Sequence, residues 1–343
     1  MGHDCWLPVL RIISDGATHS AEELAVTLAI PCADINLQIK TLRGLGLTVR
    51  GNPKKGFRLP YPVDLFDAPE LIAGLPKWCR ERIAFCEVAG QVDSSNSRLL
   101  EQAPPEDGQV QVFLAEHQTA GRGRRGRNWI SPPAAGICLS LGVGFDDSPQ
   151  NLEALPLALG VATRRALGKL GIEPVGIKWP NDLMAEGKLA GILVELRHTS
   201  DDRLHLVAGL GLNYRLSDSQ TVAMSDRWSD VSGMTDGRPP SRKELVRQIL
   251  PEWVAALDIF MLQGLSPFLQ DLRLADVCRN QQVELVSDTS ITHGVCRGIA
   301  DDGCLLLQSG EETKRIIAGD ISLRPARPER WPRRDLIAWW ARK

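Results

Sequence analysis

Along the first sixty residues the apolar positions recur at helical spacing. Ser20-Ala-Glu-Glu23 reads as a capping box, with the Ser20 hydroxyl accepting from the amide of Glu23, and Leu24 and Leu28 continue one apolar face. After a break at Pro31, Ile35, Ile39 and Leu42 fall at i, i+4 and i+7, the stripe of a second short helix. Two such helices predict a helix-turn-helix over Ser20 to Leu42. Thr48 to Leu59, with Gly51, Pro53, Lys54 and Lys55 at its tip, predicts a basic β-ribbon. The layout is that of a winged helix-turn-helix, although a small helical packing unit would share the signature. Pro60, Pro62 and Pro69 then mark a linker.

From Ile83 to Leu274 the pattern alternates between strand and helix. Apolar runs at Val110–Ala115, Ile137–Val143, Leu189–Leu196 and Leu204–Leu210 predict buried strands, while Leu152–Leu170 and Arg242–Leu262 repeat at helical period. From Gln281 to Leu323 five short β-rich runs are separated by the turns Asp301-Asp302-Gly303 and Ser309-Gly310, which predicts a small barrel. The expected fold class is a multidomain α+β protein. It divides into a winged helix at 1–62, a mixed α/β domain at 63–272, a small β-barrel at 273–324 and a tail at 325–343.

Composition narrows the function classes. With 343 residues, 43% hydrophobic and 24% charged, the chain is globular and can bury a sizeable core. The net charge of -2 means that any phosphate or nucleic-acid site must be a local patch. The first 60 residues still carry +2, seven basic minus five acidic. Eight cysteines occur without a Cys-x-x-Cys pair, which argues against zinc and against a disulfide framework. Asp4 and Arg11 break any signal-peptide core, and the apolar stretch at Leu155–Ala162 is too short to span a bilayer. A soluble cytoplasmic protein without a membrane partner is expected. The tail from Arg324 to Lys343 holds seven basic and two acidic residues with Trp331, Trp339 and Trp340, fitting a docked helix or a membrane- or partner-binding tail.

The richest chemistry lies in Gly121-Arg-Gly-Arg-Arg-Gly-Arg127. It matches G-x-G-x-x-G, but Ser131, Pro132, Pro133 and Gly136 follow where a dinucleotide fold needs a helix, so a hydride-transferring dehydrogenase is rejected. Four crowded guanidinium groups repel one another unless anions separate them, and a polyphosphate is the natural anion. A solvated basic loop or an RNA-binding Arg-Gly stretch is the bland alternative. Lys178-Trp-Pro-Asn-Asp182 gathers a cation, an amide and a carboxylate that suit Mg²⁺ beside a phosphate site, or simply form a turn. Lys188 opens an apolar strand and needs an anionic partner if buried. Asp93-Ser-Ser-Asn96 offers polar groups for a small neutral ligand, or a helix cap.

Five segments occur together and in order: Asp93-Ser-Ser-Asn96, Glu116 to Arg127, Lys178 to Leu183, Lys188 to Glu195 and Gly209-Leu-Gly-Leu-Asn213. In this the chain closely resembles the biotin protein ligases of the bifunctional bacterial type, which also repress the biotin operon, over about residues 1 to 325. The resemblance implies a biotin/lipoate ligase-like central domain and an SH3-like C-terminal barrel. It also implies ATP- and Mg²⁺-dependent formation of biotinyl-5′-AMP and transfer of biotin to a lysine of the biotin carboxyl carrier protein of acetyl-CoA carboxylase. It assigns Ser94, Ser95, Asn96 and Gln118 to biotin, and Arg122, Gly123 and Arg124 to the loop that closes over biotin and adenylate. Lys188 would touch the biotin carboxylate or the phosphate, and Trp129 would cover the adenine. Lys178, Asn181 and Asp182 would line the nucleotide and metal side, with Asn213 nearby. Arg122, Arg124, Lys188 and Asp182 are thereby the expected catalytic set, Asp182 as metal ligand or as acceptor of the carrier lysine's proton. A homodimer formed on adenylate binding, and operator DNA read by the two N-terminal helices with Lys54 and Lys55, complete the expected partners. Ser95 stands where Thr is usual, keeping the hydroxyl. A non-catalytic biotin-sensing transcription factor and a lipoate or octanoyl transferase relative share the architecture; the intact Arg-rich loop argues against the latter.

Overall fold

The computed structural model describes residues 5–146, 151–199, 203–217, 227–286, 291–317 and 322–325. The Trp- and Arg-bearing tail beyond Pro325 lies outside them. At the N-terminus, helices α1 (Leu7–Ile13), α2 (Ala21–Leu28) and α3 (Cys32–Gly44) pack on a ribbon of β1 (Arg50–Asn52) and β2 (Gly56–Arg58). Both bonds of the capping box form, Glu23 N to Ser20 Oγ at 3.0 Å and Ser20 N to Glu23 Oε2 at 2.9 Å. Ile35, Ile39 and Leu42 are buried with Trp6, Leu10, Leu24 and Phe57 in a separate small core. Each such aliphatic side chain stabilises by about 1.5–3 kcal/mol when removed from water.

The ribbon is close-fitting. A Cβ on Gly51, whose φ is +99°, would lie 1.9 Å from the Gly56 carbonyl oxygen, so only glycine serves there. Arg43 donates to the carbonyls of Val49 (2.9 Å) and Gly51 (2.8 Å), so this helix cation braces the ribbon. Lys54 and Lys55 are exposed at the tip, their amides held by the Asn52 side chain. Pro69, which the sequence placed in a linker, instead sits in the first turn of α4 (Ala68–Ala73), where its missing N–H costs nothing.

A mixed seven-stranded sheet forms the centre, in the order β3 (Ile83–Val92), β4 (Val110–Gln118), β5 (Gly136–Phe145), β9 (Leu204–Asn213), β8 (Lys188–His198), β7 (Asp182–Met184) and β6 (Gly176–Lys178). Among its described strand pairs, only β3 and β4 run parallel. Side chains alternate across each strand. Val112 and Leu114 of β4 thus enter the main core, while Phe113 and Ala115 enter a smaller one on the opposite face. After the short α5 (Lys77–Arg80), helix α6 (Ser95–Leu100) covers that smaller face. The main face is covered by α7 (Leu155–Lys169) and, beyond α8 (Val231–Met234), by α9 (Arg242–Gln263) and α10 (Leu269–Ala275). Trp253 of α9 donates to Thr163 of α7 at 2.8 Å, joining the two long helices.

A five-stranded antiparallel sheet follows, in the order β13 (Glu312–Ile316), β12 (Leu305–Ser309), β11 (Ile291–Ile299), β10 (Gln282–Val286) and β14 (Ser322–Pro325). Val283, Leu285, Cys296, Leu305 and Leu307 share the main core. The junction is also polar: Val277 N donates to Ile177 O at 3.1 Å and Trp179 Nε1 to Gly303 O at 3.0 Å. The C-terminal sheet is therefore attached to the edge strand that leads into Asn181 and Asp182.

Candidate active site

The register of the central sheet lays out one row of side chains on the α6 face. Lys178 faces Asp182, Asp182 faces Gly191, and Gly191 faces Gly211. The next row carries Leu193, Gly209 and Ser140. The glycines clear a floor. A Cβ on Gly209 would come within 2.2 Å of Asn96 Oδ1, and one on Gly211 within 2.3 Å of the Trp129 indole. Asn96 and Trp129 thus lie directly on bare backbone, which larger residues would forbid.

At one end of the floor, Gln118 Oε1 accepts from Ser95 N (2.8 Å) and Ser95 Oγ (3.0 Å). Ser140 Oγ lies 2.7 Å from Ser95 Oγ and 2.6 Å from Asn96 Oδ1. Asn96 Nδ2 donates to Glu195 Oε2 at 2.8 Å. Glu195 also takes Arg122 Nη2 on both oxygens at 2.9 Å, and Arg122 donates to Ser97 as well. Ser94 occupies the N-cap of α6 and is buried, but its side chain makes no capping bond. This cluster of buried hydroxyls and amides matches a small neutral polar ligand, since each group can turn from its neighbour to a guest.

The arginine segment is a small hairpin. Trp129 N donates to Gly121 O (2.8 Å) and Gly123 N to Arg127 O (2.6 Å), with Arg122 bridged to Asn128. Arg124 reaches a cleft of about 400 Å³ that Pro156, Pro180, Asn181, Ile192 and Val194 also line.

At the other end, Lys188 has the anionic partner that its position demanded. Its Nζ lies 2.8 Å from Asp182 Oδ1 and 5.5 Å from the Trp129 ring centroid. Two predicted ligand groups are engaged with backbone here. Asn213 Nδ2 donates to the carbonyls of Lys188 and Ser229, both at 3.1 Å, and Asn181 Nδ2 to Ile192 O at 2.8 Å. Lys178 lies on edge strand β6, in the same row as Asp182 but a strand further from the glycine floor. Among the described residues, no three His, Cys, Asp or Glu side chains gather to hold a metal ion. Asp182, whose Oδ1 is engaged by Lys188, is the carboxylate of this row that could hold a divalent cation.

Comparison with known proteins places this geometry. The biotin/lipoate A/B protein ligase family matches residues 89–213, and the biotin protein ligase C terminal domain matches residues 280–324. The bifunctional ligase/repressor BirA of Escherichia coli is 35% identical over 324 residues, 93% of this chain and 97% of that protein. This chain belongs to the biotin protein ligase family. The biotin--[acetyl-CoA-carboxylase] ligase of Mycobacterium tuberculosis is 35% identical over 275 residues, 77% of this chain and 97% of that one. The biotin protein ligase from Aquifex aeolicus, solved in complex with biotin and ATP, superposes with a TM-score of 0.60 at 28% identity, covering 71% of this chain and all (100%) of that one. Among the described residues of this ligase, no helix is long and apolar enough to cross a membrane.

Sequence reasoning passed over several residues that this ligase uses to build the site. Glu195 closed a quoted motif without a role, yet it holds both Asn96 and Arg122. Ser140 lay hidden in an apolar strand; a lone hydroxyl within the Ile137–Val143 run was the available signal, because such a group, once buried, must find a partner. Glu116 and Arg242 form an ion pair of 2.8 Å at the foot of the hairpin. No local pattern joins residues so far apart in the chain.

Proposed function

We propose that this ligase activates biotin with ATP to biotinyl-5′-AMP, releasing pyrophosphate, and transfers the biotinyl group to a lysine of a biotin carboxyl carrier protein, releasing AMP. The observation that carries the reading is the single glycine floor, with the Ser95–Asn96–Gln118 cluster at one end and Lys188 and Asp182 at the other. The neutral cluster suits the uncharged ring system of biotin, and Lys188 suits its carboxylate and the attacked α-phosphate. A carboxylate and a triphosphate repel, so adenylation depends on positioning and on cations at the meeting point. Lys188, oriented by Asp182 and the Trp129 face, is the fixed cation; Arg122 and Arg124 are those carried by the hairpin. Asp182 would hold Mg²⁺ brought with the nucleotide, which would supply further charge neutralisation. Arg122 exchanges Glu195 for the ligand, Arg124 closes over the nucleotide, and Trp129 covers the adenine, which shields a labile anhydride from water. Asp182 accepts the carrier lysine's proton only after parting from Lys188. Incubation with ATP, Mg²⁺, biotin and a carrier domain should raise the carrier's mass by one biotinyl group. An unchanged mass, where a known ligase modifies the same carrier, would overturn the reading.

A regulatory role is supported by the N-terminal unit. We read residues 1–62 as a winged helix-turn-helix, 63–272 as the ligase domain and 273–324 as an SH3-like barrel. Asp34, Leu37 and Lys40 are exposed on α3, and the ribbon offers Lys54 and Lys55 to phosphates. One such module on a slightly acidic chain binds DNA poorly, whereas a dimer gains through effective concentration. Biotinyl-5′-AMP is expected to favour a homodimer that binds a two-fold biotin operator. Operator binding at about 150 mM salt, with and without the adenylate, tests this; equal weak binding in both would refute it.

A further inference from the structure

The N-terminal helical unit reaches the base of the hairpin through Trp6. Trp6, 1% exposed, belongs to the core of α1–α3, yet its indole meets His117 edge-on, with centroids 6.3 Å apart and planes at 69°. Its Nε1 donates to Gln91 Oε1 at 3.4 Å, and Gln91 is the parallel strand partner of His117. Trp6 therefore caps the end of the β3–β4 pair, where both strands deliver their chains into the site.

His117 in turn staples the two legs of the hairpin. Its Nδ1–H donates to the Ser131 carbonyl at 2.7 Å, while Gln118 N donates to Ser131 Oγ at 2.9 Å. Burial holds the His117 pKa below its ordinary value, so the neutral ring with its proton on Nδ1 makes this bond. Ala134, on the returning leg, joins the N-terminal core and donates to the Glu116 carbonyl at 3.0 Å. Thr119 N and Ala120 N tie the outgoing leg to Val92 O and Asp93 O, both at 2.9 Å, so at this end the bonds at Ser131 and Ala134 are what join the returning leg to it. Between the stapled positions lie Gln118, Arg122, Arg124 and Trp129.

We propose that His117 is a positioning residue, held in place by Trp6, whose bond to Ser131 keeps the hairpin closed over the bound intermediate. This rests on the ligand roles given above to Gln118, Arg124 and Trp129. The N-terminal unit then contributes to the lifetime of the adenylate as well as to any DNA binding. Small changes at the foot of a lever are enlarged at its tip, and the tip carries the arginines.

The full-length protein with four substitutions separates this role from simple stability. His117→Phe keeps a ring for Trp6 but removes the donor; His117→Asn restores a donor near the Nδ1 position. Trp6→Ala removes the wedge, and Trp6→Phe keeps most of it. The measurements are the decay of the preformed protein–biotinyl-adenylate complex, the biotin KM and kcat for carrier biotinylation, and the melting temperature. His117→Phe should hasten decay about tenfold and raise the biotin KM similarly, as expected for one lost buried hydrogen bond, with kcat at saturation little changed. Trp6→Ala should show the same split, and His117→Asn and Trp6→Phe should return towards the native values. Native decay rates in His117→Phe and Trp6→Ala would refute the inference. So would losses of kcat that track melting temperature in all four variants. A wild-type protein that forms no adenylate would overturn the ligase reading itself, whereas variants that form it and release it at the native rate overturn this inference alone.

Discussion

Two arginine–glutamate pairs stand at opposite ends of the same hairpin, and their surroundings differ sharply. Arg242 and Glu116 meet at 2.8 Å with their side chains 0% and 2% exposed. Arg242 also donates to the carbonyls of Gly136 (3.1 Å) and Asp64 (2.5 Å), and its guanidinium lies 4.4 Å from the Phe66 ring centroid. Glu116 takes the Phe66 amide at 2.6 Å. Arg122 and Glu195 meet at 2.9 Å with 37% and 27% exposed. A buried pair cannot lose one partner cheaply, because the other charge is left unpaired away from water, whereas a pair open to water exchanges partners for almost nothing. Burial makes the first pair a foundation for the hairpin and leaves the second free to release Arg122 to a ligand.

The comparison breaks most visibly at the foundation. Arg242→Ala should cost about 3–5 kcal/mol in chemical denaturation by stranding Glu116. Arg242→Met with Glu116→Leu should recover much of that, because neither charge is then left unpaired. If the single and double variants were equally unstable, the pair would not be the cause.

Lys188→Ala should act on chemistry instead of stability. Loss of the fixed cation should slow pyrophosphate release by about 100-fold, comparable to deleting one donor to a developing anion at ~3 kcal/mol. Arg124→Ala should leave adenylation detectable but shorten retention of the intermediate. Equal, negligible effects of both on pyrophosphate release would contradict the division between a fixed and a carried cation.

Asp276 provides a third kind of charge, buried and, among the described residues, in no salt bridge, with Arg279 only partly offsetting its burial. It accepts from Cys278 N at 2.9 Å, and burial pushes its pKa up to about 6. The folded state therefore binds this proton more tightly than the unfolded chain, and the penalty for the ionised form is complete above pH 6. Asp276→Asn should raise stability at pH 7.5 by about 2 kcal/mol, a gain that fades as pH falls from 6 towards 4. A pH-independent difference in melting temperature would argue against that cause.

The smallest effect on stability belongs to the exposed pair. Glu195→Gln should change it by less than about 1 kcal/mol, yet raise the biotin KM, because a single neutral amide oxygen replaces the two carboxylate oxygens shared by Asn96 and Arg122 and an NH₂ donor faces one of them. A large loss of stability with an unaltered biotin KM would show that Glu195 belongs to the foundation after all.

Much of this protein was legible in the chain because the signals are local. The capping box at Ser20, the stripe of Ile35, Ile39 and Leu42, the strand-length apolar runs and the Pro-Pro that forbids a helix after the arginine loop each depend on neighbours a few residues away. The need of Lys188 for a carboxylate was equally readable, and Asp182 meets it. By itself, then, the sequence determined the order of elements, the family and most of the polar groups that the structure gathers about the glycine floor. The tertiary structure alone decided how those groups meet. Strand register, set by packing of the two cores, aligned Gly191 and Gly211 beneath Trp129 and turned Glu195 and Ser140 towards Asn96. The folding of distant segments brought Trp6 to His117 and Arg242 to Glu116, and assigned Asn213, Asn181 and Arg43 to backbone carbonyls. Side-chain partners separated by a hundred residues leave no periodic trace, because the free energy that pairs them comes from burial and from satisfied hydrogen bonds once the chain has folded.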